Sequence, residues 1–270
     1  MAEITRFKQT IEPMKAAFCR AWASWNGALM FYTCIPLPSA WPLEFIWIAR
    51  WAVGVGAIIG ALLAVIDWSL LQMQMPVAVS SGLVVVLAVA LTGGLHLDGV
   101  MDVADGLAVP QPERRLAVMA DSRMGAFGGM AAIALLLLKV SALTALVNHR
   151  PFILVTTAMW GRWGQQWAIA RYPYLKKEGK GALHQAALPT VYHTLPGLLM
   201  LGLLSGGAGV VGWVPWPLVW RTAVGGVSIA VLTGAYFNRR LGGHTGDSYG
   251  AVVEWTEALL LCSLTVGLSD

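Results

Sequence analysis

Long apolar runs, separated by short polar connections, make up most of this chain. A helix needs about 20 mostly apolar residues to cross a bilayer, so the runs predict about seven transmembrane helices. They lie at roughly 45–71, 76–97, 127–147, 152–170, 195–214, 217–237 and 250–268. Because they leave no room for a separate soluble domain, we expect one all-α polytopic membrane helix bundle over residues 1–270.

Residues 1–40 follow a different pattern, in which basic residues are spread among apolar ones. Such spacing is typical of an amphipathic helix that lies at the membrane interface. There is no compact apolar core followed by a small-residue cleavage site, so a cleavable signal peptide is not expected. We predict an interfacial N-terminal segment, and its simplest role is that of an anchor on membrane lipids.

Charge supports this assignment and adds an orientation. Only 12% of the residues are charged, and the net charge is +4. Most Lys and Arg residues fall on one side if the N-terminus is cytoplasmic, as the positive-inside rule requires. The net charge therefore reflects topology, and with no RNA-binding motif or basic helix present we expect no nucleic-acid partner.

Acidic residues are concentrated at that same side, at the ends of predicted spans. Half of the fourteen Asp and Glu residues lie in or just after "DGVMDVADG" and in "GDSYGAVVEWTE". They are Asp98, Asp102, Asp105, Asp121, Asp247, Glu254 and Glu257.

The first cluster has the spacing of one helix face. Asp98, Asp102 and Asp105 are four and then three residues apart, so their carboxylates share a side of a helix. Like charges at that distance repel unless a cation lies between them, and oxygen ligands favour Mg²⁺ or Mn²⁺ over zinc. The alternative is a solvated polar face, which the neighbouring glycines make less attractive because they permit close approach of a phosphate or a helix.

The second cluster repeats this arrangement after a glycine-rich turn. Gly243, His244 and Thr245 lie in that turn, where backbone N–H groups and a helix N-terminus predict a phosphate site. For His244, a turn hydrogen bond is an equal alternative. Glu254 and Glu257 are predicted as further metal ligands, and the alternative is a pair buried by hydrogen bonds between helices.

Cationic residues near the clusters are candidates for phosphate binding. Arg123 stands beside Asp121, Arg162 lies within a span, and Lys180 lies in a basic loop. Arginine clamps phosphate with two hydrogen bonds, whereas lysine acts as a point charge. Arg162 must also pair with a group inside the bundle. Lys176 and Lys177 are interpreted as topology markers.

Four stretches together carry a family resemblance over nearly the whole chain. They are "TGGLHLDGVMDVADGL", "ERRLAVMADSRMGAFGG", the Gly-Arg pair at 161–162 with "ARYPYLKKEGKG", and "LGGHTGDSYGAVVEWTEALLL". In order and spacing they resemble the cobalamin synthase family, multi-pass enzymes of the bacterial inner membrane that use Mg²⁺. The resemblance implies that the enzyme joins adenosylcobinamide-GDP to α-ribazole, or its 5′-phosphate, by transferring the cobinamide-linked phosphoryl group and releasing GMP.

The resemblance also implies roles at individual positions. Asp98, Asp102, Asp105 and Asp247 would hold the metal, with Asp121, Glu254 and Glu257 as further ligands or supports. Asp105, or else Asp102, would take the hydroxyl proton. Arg123, Arg162 and Lys180 would bind pyrophosphate oxygens, with Arg123 also acting in catalysis.

Two other functions fit part of the pattern. A CDP-alcohol phosphotransferase also has an Asp-rich helix at a membrane face, but its Ala-Arg pair and its fourth Asp are missing from this run. A cation-coupled transporter would place carboxylates near the membrane midplane in two related halves, and no internal repeat is visible. The sequence leaves open whether the chain forms a homo-oligomer.

Overall fold

A computed structural model describes residues 2–121, 123, 125–176 and 180–267, without the side chains of residues 2–14, 180, 182 and 183. The described residues form eleven α-helices and two short 3-10 turns, with no strand among them. In chain order the helices are α1 (Ala2–Tyr32), α2 (Ala52–Gln72), α3 (Val77–Leu91), α4 (Leu95–Ala108), α5 (Pro112–Met119), α6 (Ala126–Ala145), α7 (Arg150–Arg171), α8 (Lys180–Ala187), α9 (Leu195–Val210), α10 (Trp216–Leu241) and α11 (Gly246–Leu264). The predicted all-α bundle is thus confirmed.

Helices α7 and α11 form the centre of the bundle. Most residues of both helices are buried, including the polar Gln165 and Gln166 of α7. Helices α2, α10, α4 and α6 pack around this central pair. A helix surrounded by other helices need not be apolar on every face, because it meets protein and not lipid.

Small residues bring α2 and α7 into close contact. Gly56 and Gly60 lie one turn apart on α2, and a Cβ at Gly60 would come within 2.5 Å of the Val155 Cα. A Cβ at Gly56 would lie 2.7 Å from the carbonyl oxygen of Ala158. The pair forms the small-xxx-small pattern with which membrane helices approach each other closely.

Four helical segments within the described residues are long and apolar enough to cross a membrane. These are Ile48–Gln72, Ala126–Ala145, Val191–Val210 and Trp216–Leu241, and the α3 and α4 pair would make a fifth if counted as one bent span. The protein is therefore built as a multi-pass membrane protein. The expected number of about seven spans is not confirmed, because α7 and α11 form helices but are too polar to count as apolar membrane spans.

The predicted span at 76–97 is broken. Helix α3 ends at Leu91, and α4 starts at Leu95 at an angle of 89° to it. Gly93 and Gly94 make this corner with φ values of 59° and 73°, a left-handed conformation that glycine adopts without a Cβ clash. If α3 crosses the membrane, α4 therefore runs along its surface.

A buried ion pair lies at the end of the bundle opposite the corner between α3 and α4. Asp67 of α2 accepts hydrogen bonds from Arg150 of α7, with Nε to Oδ2 and Nη2 to Oδ1 both at 2.7 Å. The Ser80 hydroxyl of α3 also donates to Asp67, and Arg150 donates to the carbonyl oxygen of Leu143 in α6. Both charged side chains are at most 2% exposed, so this cluster ties four helices together away from water.

Candidate functional site

Helix α4 presents its aspartates away from the core. Its other face is buried against the bundle through residues that include Val100 and Val103. Asp98 is exposed, whereas Asp102 and Asp105 are partly buried. The corner at the start of α4 therefore lays an acidic helix along one end of the bundle. The spacing of the aspartates predicted their shared helix face but not this corner.

Asp247 joins this acidic face from the first turn of α11. Thr245 caps α11 by accepting a hydrogen bond from the Ser248 N–H at 3.2 Å, and its hydroxyl donates to Asp247 Oδ2 at 3.2 Å. The helix N-terminus favours the negative charge of Asp247. Gly99 makes the approach of α4 and α11 possible, because a Cβ there would overlap the Asp247 carbonyl group.

The electrostatics of Asp102 reflect this convergence. Partial burial, followed by the nearby charges of Asp98, Asp247 and Asp105, raises the pKa of Asp102 to about 6. Lys176 acts in the opposite direction, and its Nζ lies 3.3 Å from Asp247 Oδ2. Four carboxylates and one ammonium group thus share one end of the bundle.

Asp105 has a second set of contacts. Its Oδ2 accepts a hydrogen bond from the Gly125 N–H and its Oδ1 one from the Gly128 N–H, both at 2.8 Å. These amides belong to the start of α6, where N–H groups have no partner within the helix. Asp105 therefore fastens α4 to α6, and both of its oxygens are engaged.

The donor set on α4 and α11 suits a hard divalent cation. Within the described part of the chain, no three His, Cys, Asp or Glu side chains are arranged so that they could hold a metal ion by themselves. Magnesium usually needs only one or two protein carboxylates and completes its shell with water and substrate phosphates. The oxygen donors of Asp98 and Asp247, beside a carboxylate with a raised pKa, fit that kind of shared site.

Glu254 and Glu257 lie deeper in the bundle. Seven residues along α11 correspond to about 10 Å between Asp247 and Glu254. Lys139 of α6 lies 2.6 Å from Glu254 and 2.7 Å from Glu257, and Arg162 of α7 pairs with the other oxygen of Glu257. All four side chains are nearly buried, so the two glutamates stay with these cations and do not meet the aspartates of α4. The expected partner of Arg162 inside the bundle is thus Glu257.

Asp121 and Arg123 form a local pair on the loop before α6. The Arg123 Nη2 atom lies 2.7 Å from Asp121 Oδ2, and the arginine side chain is 87% exposed. Hydrogen bonds from Arg123 hold the pKa of the Asp121 carboxyl at about 2. Arg123 lies two residues and Asp121 four residues before Gly125, which contacts Asp105. The pair therefore lies at the acidic end of the bundle without joining the aspartates of α4.

The turn before α11 holds itself together with polar contacts. His244 is fully buried, its Nδ1 lies 3.0 Å from Ser248 Oγ, and its Nε2 lies 3.1 Å from the Gly234 carbonyl oxygen. The rings of Tyr172 and Tyr249 both stack with its imidazole. His244 thus forms the expected turn hydrogen bond, and its contact with phosphate stays a prediction. The neighbouring Gly243 is buried as well, and Thr245 serves as the helix cap.

Several side chains near the aspartates were not predicted from the sequence. Lys176, interpreted as a topology marker, contacts Asp247, and its only signal was its place in a basic, glycine-containing loop. Gln165, His184 and Tyr249 line a cavity beside Asp98 and Asp247. They come from three helices, so spacing along the chain could not group them. The side chain of Lys180 and all of Lys177 lie outside the described residues.

The chain is similar to known proteins over most of its length. The sequence profile of the cobalamin-5-phosphate synthase family matches residues 24–265. The adenosylcobinamide-GDP ribazoletransferase of Trichormus variabilis is 53% identical over 240 residues, which cover 89% of this chain and 95% of that protein. The proteins of the same name from Synechococcus sp. and Synechocystis sp. are 49% and 44% identical, covering 91% and 90% of this chain and 97% and 96% of their own lengths. No solved structure matches the chain. The chain belongs to the cobalamin-5-phosphate synthase family, as its motifs indicated.

Proposed function

We propose that the protein joins adenosylcobinamide-GDP to α-ribazole, or to α-ribazole 5′-phosphate, and releases GMP. Support comes from relatives that bear the name of this transferase and align with nearly the whole chain. The product would be adenosylcobalamin or its 5′-phosphate, so the protein acts late in the assembly of the cobalamin nucleotide loop.

One observation carries the proposal at the level of the site, namely the meeting of the α4 aspartates with Asp247 and Lys176. Transfer of a phosphoryl group depends mainly on positioning and on stabilising charge at the phosphate oxygens. Carboxylates that share a cation, with a lysine among them, provide both. A purely structural cluster would be expected to carry one counter-charge for each acid, as Glu254 and Glu257 do deeper in the bundle.

We assign Mg²⁺ binding to Asp98 and Asp247, with Mn²⁺ as a substitute. Bound there, the cation would neutralise charge on the pyrophosphate oxygens. Asp105 holds α4 in place against α6, because both its oxygens accept backbone hydrogen bonds. Asp121, Glu254 and Glu257 are engaged with cationic side chains and are assigned structural roles.

Asp102 is the residue suited to accept the proton of the attacking hydroxyl. Asp102 is partly buried near the other carboxylates. Among the described residues, no ion pair or side-chain hydrogen bond engages its carboxylate oxygens. The ribazole oxygen forms a bond to the cobinamide-linked phosphorus and passes its proton to Asp102. The bond from that phosphorus to the bridging oxygen breaks, and GMP leaves with the electron pair.

Cationic side chains would hold the pyrophosphate. Lys176 contacts Asp247, and it can exchange this contact for a phosphate oxygen. Arg123 lies nearby in an exposed ion pair with Asp121. Exposed ion pairs contribute little stability, so Arg123 can also leave this pair to bind a phosphate oxygen. Lys180 remains a candidate from its sequence position. Arg162 is committed to Glu257 and keeps a structural role.

The test is a direct assay of the purified protein in detergent micelles. We expect GMP and a nucleotide-loop corrinoid to appear only when adenosylcobinamide-GDP, α-ribazole and Mg²⁺ are all present. Replacing Mg²⁺ with EDTA should stop the reaction. Release of CMP from a CDP-alcohol would instead identify a CDP-alcohol phosphotransferase, and ion flux in proteoliposomes without GMP release would identify a transporter.

The proposal includes a location, the bacterial inner membrane with the N-terminus and the aspartates on the cytoplasmic side. The distribution of Lys and Arg supports this orientation. Labelling of the exposed Cys19 tests this orientation. A membrane-impermeant thiol reagent added outside the vesicles should reach Cys19 in inverted vesicles and not in right-side-out ones.

A further inference from the structure

A polar cavity of about 310 Å³ lies directly behind the aspartates. It is formed where the start of α4, the start of α11, the end of α7 and helix α8 come together. This volume suits one small organic group and lies at the lower end of the range for ligand pockets. A corrinoid ring is far larger, so only another part of the substrates can enter.

The deep part of the cavity is lined by neutral polar side chains that lack partners. Within the described residues, no hydrogen bond satisfies His96 Nε2, Gln165 Oε1, either ring nitrogen of His184, or the Tyr249 hydroxyl. All four side chains are at most 5% exposed. Burying such groups without partners costs roughly 1–3 kcal/mol for each. A ligand with several donors and acceptors would relieve that cost.

The mouth of the cavity differs from its floor because it is charged. Asp98, Asp247 and Lys176 line it, and they are the groups assigned above to the metal and the pyrophosphate. A ligand that fills the cavity therefore has a neutral polar end inside and a phosphate end at the mouth. A nucleotide has that shape.

Hydrogen bonding separates the two bases that the substrates contain. Guanine offers N7 and O6 as acceptors and N1–H and N2–H₂ as donors. The dimethylbenzimidazole of α-ribazole has one free ring nitrogen, an acceptor, and two methyl groups. Only guanine provides donors for Gln165 Oε1, and only guanine has enough polar atoms for His96 and His184 as well.

The walls of the cavity add flat surfaces. The rings of Tyr174 and Tyr249 lie nearly parallel with centroids 6.0 Å apart, and Phe31 contacts His184 at 5.1 Å. Aromatic side chains next to hydrogen-bonding groups are the usual way in which proteins hold an unpaired base. Burial lowers the pKa of His184 to about 4, so its ring is neutral and offers one donor and one acceptor.

We propose that this cavity, with Gln165, His96 and His184 at its floor, binds the guanine base of the GDP-linked substrate. The base is then buried, and the pyrophosphate reaches Asp98, Asp247 and Lys176 at the mouth. The inference rests on the proposed function, since it assigns a place to one part of that reaction's substrate.

Binding of nucleotides to the unmodified protein tests the proposal without turnover. Isothermal titration with GMP, IMP and AMP in detergent and Mg²⁺ should give the tightest binding for GMP. IMP lacks the N2 amino group and should bind about tenfold more weakly, which is the effect of one lost hydrogen bond to a buried acceptor. Equal affinity for GMP, IMP and AMP would overturn the guanine assignment, even if transferase activity is present.

A variant locates the base within the protein. Gln165→Leu should weaken GMP binding about tenfold, abolish the preference for GMP over IMP and raise KM for adenosylcobinamide-GDP, with KM for α-ribazole unchanged. Thr256→Val is the matched control, because it also removes a buried polar group without a partner, here a hydroxyl that does not line the cavity. It should behave like the unmodified protein.

The outcomes are separable. If KM for α-ribazole rises in Gln165→Leu and that for adenosylcobinamide-GDP does not, the cavity holds the ribazole and the proposal is wrong. If the protein binds GMP selectively but never releases it from adenosylcobinamide-GDP, the guanine site stands and the proposed reaction fails. The nucleotide series needs no variant, so it decides the question even if Gln165→Leu does not fold.

Discussion

Among single residues, Asp102 stands out because its ionised carboxylate lowers the stability of the folded protein. Its pKa is raised to about 6 by burial and by three neighbouring carboxylates, so its charged form destabilises the folded protein. Groups that a structure keeps under such strain are commonly those that a reaction needs. Activity and stability should therefore respond in opposite directions when this charge is removed.

Asp102→Asn is expected to lower kcat for GMP release about 10²- to 10⁴-fold, as for the loss of a general base. In EDTA at pH 8 it should raise the unfolding temperature. The charge of Asp102 destabilises the unmodified protein above pH 6, and this effect is lost as the pH falls toward 3.8. The unfolding temperatures of Asp102→Asn and of the unmodified protein should therefore become equal near pH 3.8. Exposed Glu113→Gln is the control and should change neither property. Near-full activity in Asp102→Asn would remove the residue from the mechanism.

The assignment of Mg²⁺ to Asp98 and Asp247 predicts a difference between two kinds of variant. Mg²⁺ should stabilise the unmodified protein and raise its unfolding temperature. At a concentration about one hundred times Kd, the free energy of unfolding should rise by about 2.7 kcal/mol. Asp98→Asn with Asp247→Asn should lose this response. Glu254→Gln should start about 3 kcal/mol less stable, because Lys139 loses a buried partner, yet keep the full response to Mg²⁺. The reverse pattern would move the metal to the glutamates.

Sequence periodicity correctly placed Asp98, Asp102 and Asp105 on one helix face, because an α-helix fixes that relation locally. It could not separate Asp247 from Glu254, which share a face of α11 but lie at different depths. The separation is set by Lys139, a residue on another helix 115 positions earlier in the chain. Lys176 was missed for the same reason, since its contact with Asp247 spans 71 positions.

At the scale of elements, the contact of α4 with α11 positions the site, and Gly99 is the point of closest approach. Gly99→Ala places a methyl group against the Asp247 carbonyl, which must shift. We expect at least a tenfold loss of activity from misplacement and about 1–3 kcal/mol of lost stability. Gly129→Ala on α6 is the control, because its Cβ meets nothing within 4 Å. Equal effects of the two substitutions on GMP release would mean that this contact does not position Asp247.

The apolar runs predicted most of the long helices well, and those at 127–147, 152–170, 195–214, 217–237 and 250–268 begin and end within about four residues of a helix. The corner between α3 and α4 was not predicted, because glycine pairs also occur inside straight membrane helices. What decides the corner is tertiary packing of α4 against α11 and α6, which the local sequence does not reveal.

On the scale of the whole molecule, the Asp67 and Arg150 pair is separated from the aspartates by the length of α6, about 30 Å. Asp67→Ala should leave the buried Arg150 without a partner and cost about 3–5 kcal/mol of stability. The unfolding temperature measures this, and KM for both substrates should stay unchanged. Asp67→Ala with Arg150→Met should recover most of the loss. A double variant as unstable as the single one would show that packing, and not the unpaired charge, dominates.

The contact between α4 and α11 also sets an order of events while the protein is made. Asp247 leaves the ribosome about 150 residues after Asp98, which at 5–20 residues per second is a delay of roughly 7 to 30 s. During that interval the face of α4 that includes Gly99 has no covering helix. A chain that stalls before α11 is synthesised therefore leaves an uncovered helix face at the membrane surface, a state that quality-control proteases can recognise.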